Sequence, residues 1–185
     1  MSKPCVVDIK MGTRQHGILG IDATSDKISR AIHKVNTTTS FSLGFRVKQF
    51  SMFIDDQFIK VPKSFGRSLD KNAMICFLKE FFQCSNTGLS IPVLTKLFNK
   101  LLAIYRVFHS YGDERPFVFY SSSLLIAYDA CSKANFDVNI AMIDFAHTHS
   151  SFGRDIDDGY AKGLCHLLCY IHFLLLSSGQ SLRGV

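Results

Sequence analysis

The stretch that decides the fold is Pro4-Cys5-Val6-Val7-Asp8-Ile9-Lys10-Met11-Gly12. Its apolar residues predict a short buried strand over 5–11. Asp8 and Lys10 are two residues apart, so both side chains point to the same side of an extended strand. On its own such a pair is more often a structural ion pair, and the rest of the chain decides whether it also has a chemical role.

The five residues that follow, Thr13-Arg14-Gln15-His16-Gly17, add two side chains that can bind anions. Gly12 before them and Gly17 at their end allow the backbone to turn and to approach a ligand closely. A carboxylate and an ammonium followed by Arg14 and His16 form a layout suited to binding an anion and orienting a reacting group.

Positive charge is concentrated in the first third of the sequence. Residues 1–67 contain eleven Lys or Arg and five Asp or Glu, a balance of +6, whereas residues 68–185 contain ten of each. Clustered cations raise the local concentration of an anionic partner. The basic third has no helix-turn-helix or zinc-finger spacing, so it does not indicate a nucleic-acid-binding protein. We therefore expect a compact polyanion as the partner and no nucleic acid.

Length and composition are those of one globular domain. The 185 residues, 47% of them hydrophobic, are enough for a core and fit one domain, or one domain and a fragment of another. We expect a single domain over 1–185, and a monomer. The six cysteines lie in apolar surroundings and no secretory signal opens the chain, which predicts a cytoplasmic and/or nuclear protein. The longest apolar part of the tail 158–176 is shorter than the ~20 residues that span a bilayer, so we expect a core helix and no membrane insertion.

A zinc site is the alternative to a purely structural role for this tail. Cys165, Cys169 and His172 fall on one helical face, and thiolates and imidazoles are zinc ligands. The helix is otherwise rich in Leu and Phe and offers no obvious fourth ligand, which favours the structural role.

Hydrophobic periodicity predicts strands and helices along the rest of the chain. Strands are predicted over 40–54, 58–61, 117–128 and 138–145, and helices over 24–35, 70–83, 90–109 and 158–176. In the first of these helices Thr24 or Ser25 is the expected N-cap, and Ile28, Ile32 and Val35 form the apolar stripe.

The strands predicted over 117–128 and 138–145 bring a hydroxyl and a carboxylate together. If they close as an antiparallel hairpin about residue 133, Ser123 lies opposite Ile143 and next to Asp144, although a register error of one residue would change this facing. Hydroxyl and carboxylate oxygens are hard ligands of the kind that Mg²⁺ prefers. The hairpin therefore suggests a Mg²⁺ site at Ser123 and Asp144.

Four segments of the chain, in this order, resemble one known family. The first is Pro4-x-x-x-Asp8-x-Lys10-x-Gly12, and the later ones are Ser121-Ser122-Ser123-Leu124-Leu125, Ile143-Asp144-Phe145-Ala146-His147-Thr148, and Asp158-Gly159-Tyr160 with Gly163-Leu164. Together they resemble the inositol polyphosphate kinases, and the extension Thr13-Arg14-Gln15-His16-Gly17 is similar to the inositol hexakisphosphate kinase branch. The resemblance implies an α+β fold like a kinase C-terminal lobe, with an antiparallel sheet and packed helices.

The resemblance also implies roles for individual residues. Asp8 and Lys10 would be catalytic, with Asp8 as the base for a ring hydroxyl or, where the acceptor is already a phosphate, as the group that orients Lys10 and the acceptor. Asp144 would hold ATP through Mg²⁺, together with Ser123. The segment 22–35 would be a basic substrate-side helix, although a solvated helix face explains its lysines equally well. The residues implied to bind the inositol phosphate are Lys10, Arg14, His16, Lys27, Lys34, Lys63, Arg67 and His147.

Two functions stay open at this point. The first is an ATP-dependent kinase of inositol polyphosphates, with inositol hexakisphosphate favoured as substrate and a diphosphoinositol phosphate as product, or else an inositol multikinase or trisphosphate kinase. The second is a module that binds inositol phosphates without catalysis. In the family a smaller N-terminal lobe that contacts the nucleotide precedes the Asp-x-Lys strand, and because the motif begins at Pro4 we expect that lobe to be largely absent from this chain.

Overall fold

A computed structural model describes residues 3–54, 57–84, 88–111, 115–131, 137–151 and 159–178. The strands are β1 (Pro4–Met11), β2 (Phe45–Ile54), β3 (Gln57–Val61), β4 (Gln83–Cys84), β5 (Gly88–Leu89), β6 (Phe117–Tyr120), β7 (Ser123–Asp129), β8 (Val138–Ile143) and β9 (His147–Ser150). The helices are α1 (Ser25–Asn36), α2 (Thr39–Leu43), α3 (Lys63–Ser68), α4 (Lys71–Phe81), α5 (Ile91–Ser110) and α6 (Gly159–Ser177).

The predicted Asp-x-Lys strand is the central strand of the main sheet. Five strands lie in the order β3-β2-β1-β7-β8, and every neighbouring pair is antiparallel. Alternation along β1 sends one set of side chains into the core and the other to the opposite face. Val7, Ile9 and Met11 are completely buried, while Asp8 and Lys10 lie between them in the sequence on the other face. The predicted α+β class with an antiparallel sheet and packed helices is confirmed.

The core lies between the apolar face of the sheet and three helices, α4, α5 and α6. Phe77 and Phe81 of α4 pack against Phe50 of β2, with ring centroids 4.8 and 6.2 Å apart respectively. Leu97 of α5 and Leu164 of α6 are fully buried in the same cluster. Burial of large apolar side chains on this scale, at about 1.5–3 kcal/mol each, is the main force that holds the sheet to the helices.

Helix α6 is the part of the described chain that is long and apolar enough to cross a membrane, judged by length and composition alone. Half of its most apolar window is buried inside the fold. It packs mainly against α5, as the core helix predicted for this region would.

The structure corrects three of the predicted elements. The strand predicted over 40–54 begins only at Phe45, because Thr39–Leu43 form a short helix that ends at Gly44. The strand predicted over 117–128 is interrupted after Tyr120. The apolar stripe predicted for α1 is buried only at Val35, and Ile32 keeps 46% of its surface exposed. The predicted N-cap is confirmed as Thr24, whose hydroxyl accepts a hydrogen bond from the Lys27 backbone N–H.

Gly44 and Gly163 let the end of α2 lie directly on α6. Gly44 has φ +72°, in the left-handed region, and a Cβ there would come within 2.6 Å of the Gly163 backbone nitrogen. Gly20 has nearly the same backbone conformation, φ +76°, but a Cβ there would meet nothing within 4 Å. Alanine substitutions at Gly44 and at Gly20 therefore separate the cost of backbone strain, which both share, from the cost of the close contact, which only Gly44 has.

We predict that Gly44→Ala destabilises the fold more than Gly20→Ala does. Gly20→Ala should cost about 1–2 kcal/mol of unfolding free energy, the cost of a side chain in the left-handed region. Gly44→Ala should cost about 1–3 kcal/mol more, because the methyl group overlaps backbone atoms that cannot rotate away. Urea unfolding of both variants measures the difference, and equal losses would show that the helix contact contributes nothing.

Candidate functional site

The polar face of β1 holds two acids and two lysines in direct contact. The Lys48 Nζ lies 2.8 Å from Asp8 Oδ2 and 3.0 Å from Asp144 Oδ2. The Lys10 Nζ lies 3.3 Å from the same Asp144 oxygen. One network of ion pairs therefore joins β1, β2 and the end of β8, with Asp144 as its shared acceptor.

Lys48 reaches this network because β2 bulges beside Asp8. Asp8 pairs with Gln49 and the next residue, Ile9, pairs with Val47, so Lys48 is the extra residue on β2. Such a bulge re-aims the side chain that it carries. Sequence reasoning missed Lys48, although the two consecutive polar residues Lys48-Gln49 within an otherwise alternating strand were the available signal.

The hairpin predicted to form the metal site is confirmed in its register. Ser123 of β7 pairs with Ile143 of β8, so Asp144 follows directly beyond the paired end. The Ser123 Oγ lies 3.5 Å from Asp144 Oδ2, and Ser123 is completely buried. The serine hydroxyl is therefore a donor beneath the Asp144 carboxylate, whose side chain is 43% exposed. Residue 133, about which the hairpin was predicted to close, lies outside the described residues.

Two non-glycine residues of the described chain have left-handed backbone conformations, and both contact Lys10. These are Ser121 with φ 57° and Asp144 with φ 65°. The Lys10 ammonium donates to the Ser121 carbonyl oxygen and to the Asp144 carboxylate. Strained backbone of this kind persists where the surroundings enforce it, and it concentrates at functional sites.

The ion pairs set the charge states of these groups. The hydrogen bond from Lys48 and the charge of Lys10 lower the pKa of Asp144 despite partial burial. Burial disfavours the charged form of Lys48, but its hydrogen bonds with Asp8 and Asp144 outweigh this and raise its pKa. The pKa of Lys10 is lowered by burial and then by the nearby Lys48. Asp144 and Lys48 are therefore firmly ionised at neutral pH.

Asp8 retains one buried oxygen without a protein partner. Its side chain is 5% exposed, and only Oδ2 contacts Lys48, whereas Oδ1 has no hydrogen bond within the described part of the chain. A small cavity of about 70 Å³ lies beside Asp8, between Val6, Leu125 and Lys60. Since a buried carboxylate oxygen is costly to leave unsatisfied, this atom is a natural acceptor for a ligand group.

A larger cationic pocket lies between α1 and α3. Its volume is about 680 Å³ and its lining residues are Ser29, Arg30, His33, Lys34, Thr37, Thr38 and Arg67. Two of the residues predicted to bind substrate, Lys34 and Arg67, lie here. The pKa of Lys34 is lowered by burial and by four surrounding cations, beginning with Arg46 and Arg67. Cations that repel one another in this way are stabilised when an anionic ligand binds among them.

Arg46 connects the pocket with the acid–lysine network. It pairs across the strands with Lys10 and is only 6% exposed. Burial and the nearby Arg67 lower the pKa of Arg46 to about 10, against the opposing effect of Asp8. Arg46 thus stays charged at neutral pH and is a second cation of the site that sequence reasoning missed.

The remaining predicted substrate residues are placed elsewhere. The guanidinium of Arg14 lies 4.0 Å from the centre of the Tyr120 ring, and its Nη1 donates to the tyrosine hydroxyl at 3.2 Å. A ring nitrogen of His16 lies 2.8 Å from the Gly17 carbonyl oxygen. Lys27 is exposed near the start of α1, and Lys63 is exposed at the start of α3. None of these four side chains lines the cationic pocket as described.

His147 contacts an acid that sequence reasoning missed. Its Nδ1 lies 2.7 Å from Asp22 Oδ2. Burial disfavours the ionised form of Asp22, but the hydrogen bonds from His147 and from the Ile18 backbone lower its pKa. The contact fixes the orientation of the imidazole, and it leaves the role predicted for His147 in substrate binding as a prediction.

The zinc site weighed for the tail is not assembled among the described residues. The His172 ring packs against Phe98 of α5 with centroids 5.6 Å apart. The three donors that come together elsewhere belong to Asp22, His147 and His149.

Residues 1–172 match the model of the family described as inositol polyphosphate kinase. The chain belongs to the inositol polyphosphate kinase family. The match covers the Asp-x-Lys strand, the hairpin with Asp144 and most of α6, so the resemblance inferred from four short motifs is confirmed. Asp158 of the fourth motif lies outside the described residues.

Curated relatives of this inositol polyphosphate kinase domain are hexakisphosphate kinases. The chain is 33% identical to inositol hexakisphosphate kinase 3 of Mus musculus, over 90% of this chain and 46% of that protein. It is 31% identical to inositol hexakisphosphate kinase 2 of Homo sapiens, over 96% of this chain and 50% of that protein. The chain therefore spans about half the length of the curated relatives that it matches.

Solved structures of the family share the fold. An inositol phosphate multikinase superposes with a TM-score of 0.78 at 25% identity, over 94% of this chain and 80% of that one. The S. cerevisiae multikinase, solved with ADP and Mn²⁺, gives the same TM-score at 22% identity, over 94% of this chain and 79% of that one. The predicted kinase-like lobe is thereby confirmed as the fold of this domain.

We predict that Lys48→Met costs about 3 kcal/mol of unfolding free energy, because it leaves the buried Asp8 carboxylate without its counter-ion. Asp8→Asn added to Lys48→Met should recover part of the loss, since a neutral amide needs no counter-ion. A double-mutant cycle by urea unfolding measures this coupling.

Lys100→Met is the matched control for this cycle. The Lys100 Nζ lies 3.7 Å from Asp137, but both side chains are more than 40% exposed, at 42% and 56%. Its loss should stay below about 1 kcal/mol. Strictly additive effects of the Asp8 and Lys48 substitutions would contradict the role of Lys48 as the counter-ion of Asp8.

Proposed function

We propose that this chain is the inositol-phosphate-binding part of an ATP-dependent inositol polyphosphate kinase. The proposed reaction transfers the γ-phosphate of ATP to inositol hexakisphosphate and yields a diphosphoinositol phosphate. Family membership and 31–33% identity to two hexakisphosphate kinases support the choice of substrate. The five cysteines whose side chains are described are free thiols, which supports a reducing cytoplasmic or nuclear location.

The observation that carries the proposal is a continuous band of cations that begins at Asp8. Lys48 contacts Asp8 directly, Arg46 lies beside Lys10 on the neighbouring strand, and Arg67 and Lys34 continue from Arg46 into the pocket between α1 and α3. A crowded phosphate ring carries many negative charges and needs such a dispersed set of donors. At its Asp8 end the band meets the acids that a phosphoryl-transfer site requires.

Asp8 and Lys10 are the residues that we propose to act on the acceptor. The unpartnered Oδ1 of Asp8 can accept a hydrogen bond from an acceptor hydroxyl and serve as general base. An acceptor that is already a phosphate is anionic and needs no strong base, so Asp8 would then orient Lys10 and the acceptor. Lys10 is held by Ser121 and Asp144 in either case.

The donor set around Asp144 fits a divalent metal ion. Asp144 offers an ionised and partly exposed carboxylate, and a hard oxygen ligand of this kind suits Mg²⁺. Bound there, Mg²⁺ would neutralise charge on the ATP phosphates. The buried Ser123 hydroxyl supports the Asp144 carboxylate from below, and its predicted role as a second ligand stays a prediction. Lys10 and Lys48 share Asp144 Oδ2, so they would keep the carboxylate ionised and oriented.

A non-catalytic inositol phosphate module is the second candidate. It is favoured by the location of the cationic pocket, whose lining residues all lie within 29–67 and include none of the acids at Asp8 and Asp144. Both candidates require polyanion binding, and only the kinase requires metal-dependent turnover of ATP. Turnover of labelled ATP by the chain, with inositol phosphates of increasing phosphate number as acceptors, separates the two.

We predict that Asp144→Asn lowers kinase turnover at least about a hundredfold, because the amide carries no charge to hold the metal. Binding of inositol hexakisphosphate, measured by calorimetry, should change less than threefold. Asp137→Asn is the control, because Asp137 is a 56% exposed acid at the other end of β8 that pairs with Lys100. Turnover that survives in Asp144→Asn would contradict the metal assignment.

We predict that Lys34→Ala and Arg67→Ala each weaken inositol hexakisphosphate binding about tenfold, because each removes one charged donor. Lys79→Ala should leave the affinity unchanged, since Lys79 is an exposed cation on α4 outside the pocket. The loss should be largest at low ionic strength, where exposed charges are least screened. Unchanged affinity in both pocket variants would place the ligand elsewhere.

A further inference from the structure

Three potential metal ligands converge at one point between the loop after Gly17 and strand β9. The His147 Nδ1 lies 2.7 Å and the His149 Nε2 lies 3.0 Å from the same oxygen, Asp22 Oδ2. His147 and His149 are two residues apart on β9, so both imidazoles project from one side of the strand. One donor atom from each of the three residues lies within 4.8 Å of the other two.

The loop that carries Asp22 is built to hold the carboxylate in place. Asp22 Oδ1 accepts a hydrogen bond of 2.5 Å from the Ile18 backbone N–H, and the backbone N–H of Asp22 donates to the Ile18 carbonyl oxygen at 3.1 Å. A Cβ on Gly17 would lie 2.0 Å from Asp22 Oδ1, so the carboxylate occupies the space that a side chain at residue 17 would need. A hydrogen bond from a second residue that orients a ligating carboxylate is typical of metal sites.

One donor of the cluster is left unsatisfied. The His149 Nε2 is buried and makes no hydrogen bond within the described part of the chain, although Asp22 Oδ2 lies 3.0 Å away. Asp22 Oδ2 lies 2.7 Å from the His147 nitrogen and 3.0 Å from the His149 nitrogen, but of these two it is hydrogen-bonded only to His147. Buried polar nitrogens are rarely left without a partner, and the exceptions call for a specific explanation.

We propose that Asp22, His147 and His149 bind a divalent transition-metal ion of the Zn²⁺ class. An ion placed among the three donors satisfies the buried His149 nitrogen, which makes no hydrogen bond within the described residues. Ligands at about 2.0–2.1 Å from Zn²⁺ lie about 3.3 Å apart in a tetrahedral site. The two nitrogen–oxygen distances of 2.7 and 3.0 Å would therefore open by roughly 0.3–0.6 Å on binding. Two neutral imidazoles and one carboxylate leave a net charge of +1 on the complex.

The donor set separates this site from the proposed Mg²⁺ site at Asp144. Mg²⁺ prefers oxygen ligands in octahedral geometry, whereas two imidazoles with one carboxylate favour Zn²⁺ and its neighbours among the divalent transition metals. Three protein ligands leave a fourth position open for water or for a phosphate oxygen. The three side chains are 12–31% exposed, so solvent reaches that position.

Two exposed thiols on α6, those of Cys165 and Cys169, are potential competing zinc ligands. Cys165 and Cys169 lie one helical turn apart, and burial and the neighbouring Cys165 raise the pKa of Cys169, which disfavours the thiolate that a metal needs. The experiment therefore uses Cys165→Ser/Cys169→Ser as its background. Co²⁺ serves as the spectroscopic probe, since thiolate ligation adds a charge-transfer band that a site of nitrogen and oxygen ligands lacks.

Titration of this background with Zn²⁺ alone, followed by calorimetry, should show one ion bound per chain. Co²⁺ should give a visible spectrum without the thiolate band, and Mg²⁺ should not compete. Asp22→Asn and His149→Ala should each weaken Zn²⁺ binding by more than about a hundredfold, beyond the roughly 10–100-fold that loss of an orienting group alone costs. Thr148→Val should leave Zn²⁺ affinity unchanged, because residue 148 projects from the opposite side of β9.

The thermal midpoint of each variant without metal shows whether it is folded. Zn²⁺ should raise the midpoint of the background and of Thr148→Val, and it should raise that of Asp22→Asn and His149→Ala much less. Stoichiometric Zn²⁺ binding that is equally strong in folded Asp22→Asn and His149→Ala would overturn the proposal. Failure of the unsubstituted chain and the background to bind one Zn²⁺ would overturn it as well. Neither result would affect the kinase assignment, which rests on Asp144 and the cationic pocket.

Discussion

The site depends on one ammonium group placed between two carboxylates. Lys48 contacts Asp8 on the central strand and Asp144 beyond the end of β8, at 2.8 and 3.0 Å. Asp8 is almost completely buried, and an ionised carboxylate in that position is unfavourable unless a counter-charge lies within reach. The bulge in β2 places Lys48 as that counter-charge, so the burial of Asp8 depends on the irregularity of β2.

The same arrangement determines how charge is distributed across the face of the sheet. Asp144 accepts from two lysines, and Arg46 lies beside Lys10 with its guanidinium buried. Positive charge therefore exceeds negative charge around the acids, and the excess continues through Arg67 to Lys34 in the pocket between α1 and α3. An approaching polyanion meets an attractive potential along this face, which leads it towards the acids where we propose that transfer occurs.

Sequence alone could predict the parts of this structure that follow from strand periodicity. The two-residue alternation placed Asp8 and Lys10 on one face of β1, and symmetric closure gave the correct register of Ser123 against Ile143. Lys48 was missed because a bulge shifts a single residue, and its one signal was the pair of consecutive polar residues Lys48-Gln49 within an alternating strand. The contact between Asp22 and β9 was also out of reach, since it joins residues more than 120 positions apart, and local patterns hold no information about such separations.

Asp144 links the proposed Mg²⁺ site to the proposed zinc site on β9. Its φ of 65° is unfavourable for a residue with a side chain, at a cost of about 1–2 kcal/mol. The conformation persists because β8 fixes the chain before Asp144 and the pairing of β9 with β6 fixes it after Phe145. Two of the ligands in the proposed zinc site lie on β9, so an ion bound there would restrain the segment that presents Asp144. His149 lies only five residues after Asp144. We therefore expect that an ion in the proposed zinc site affects how precisely Asp144 is positioned to hold Mg²⁺.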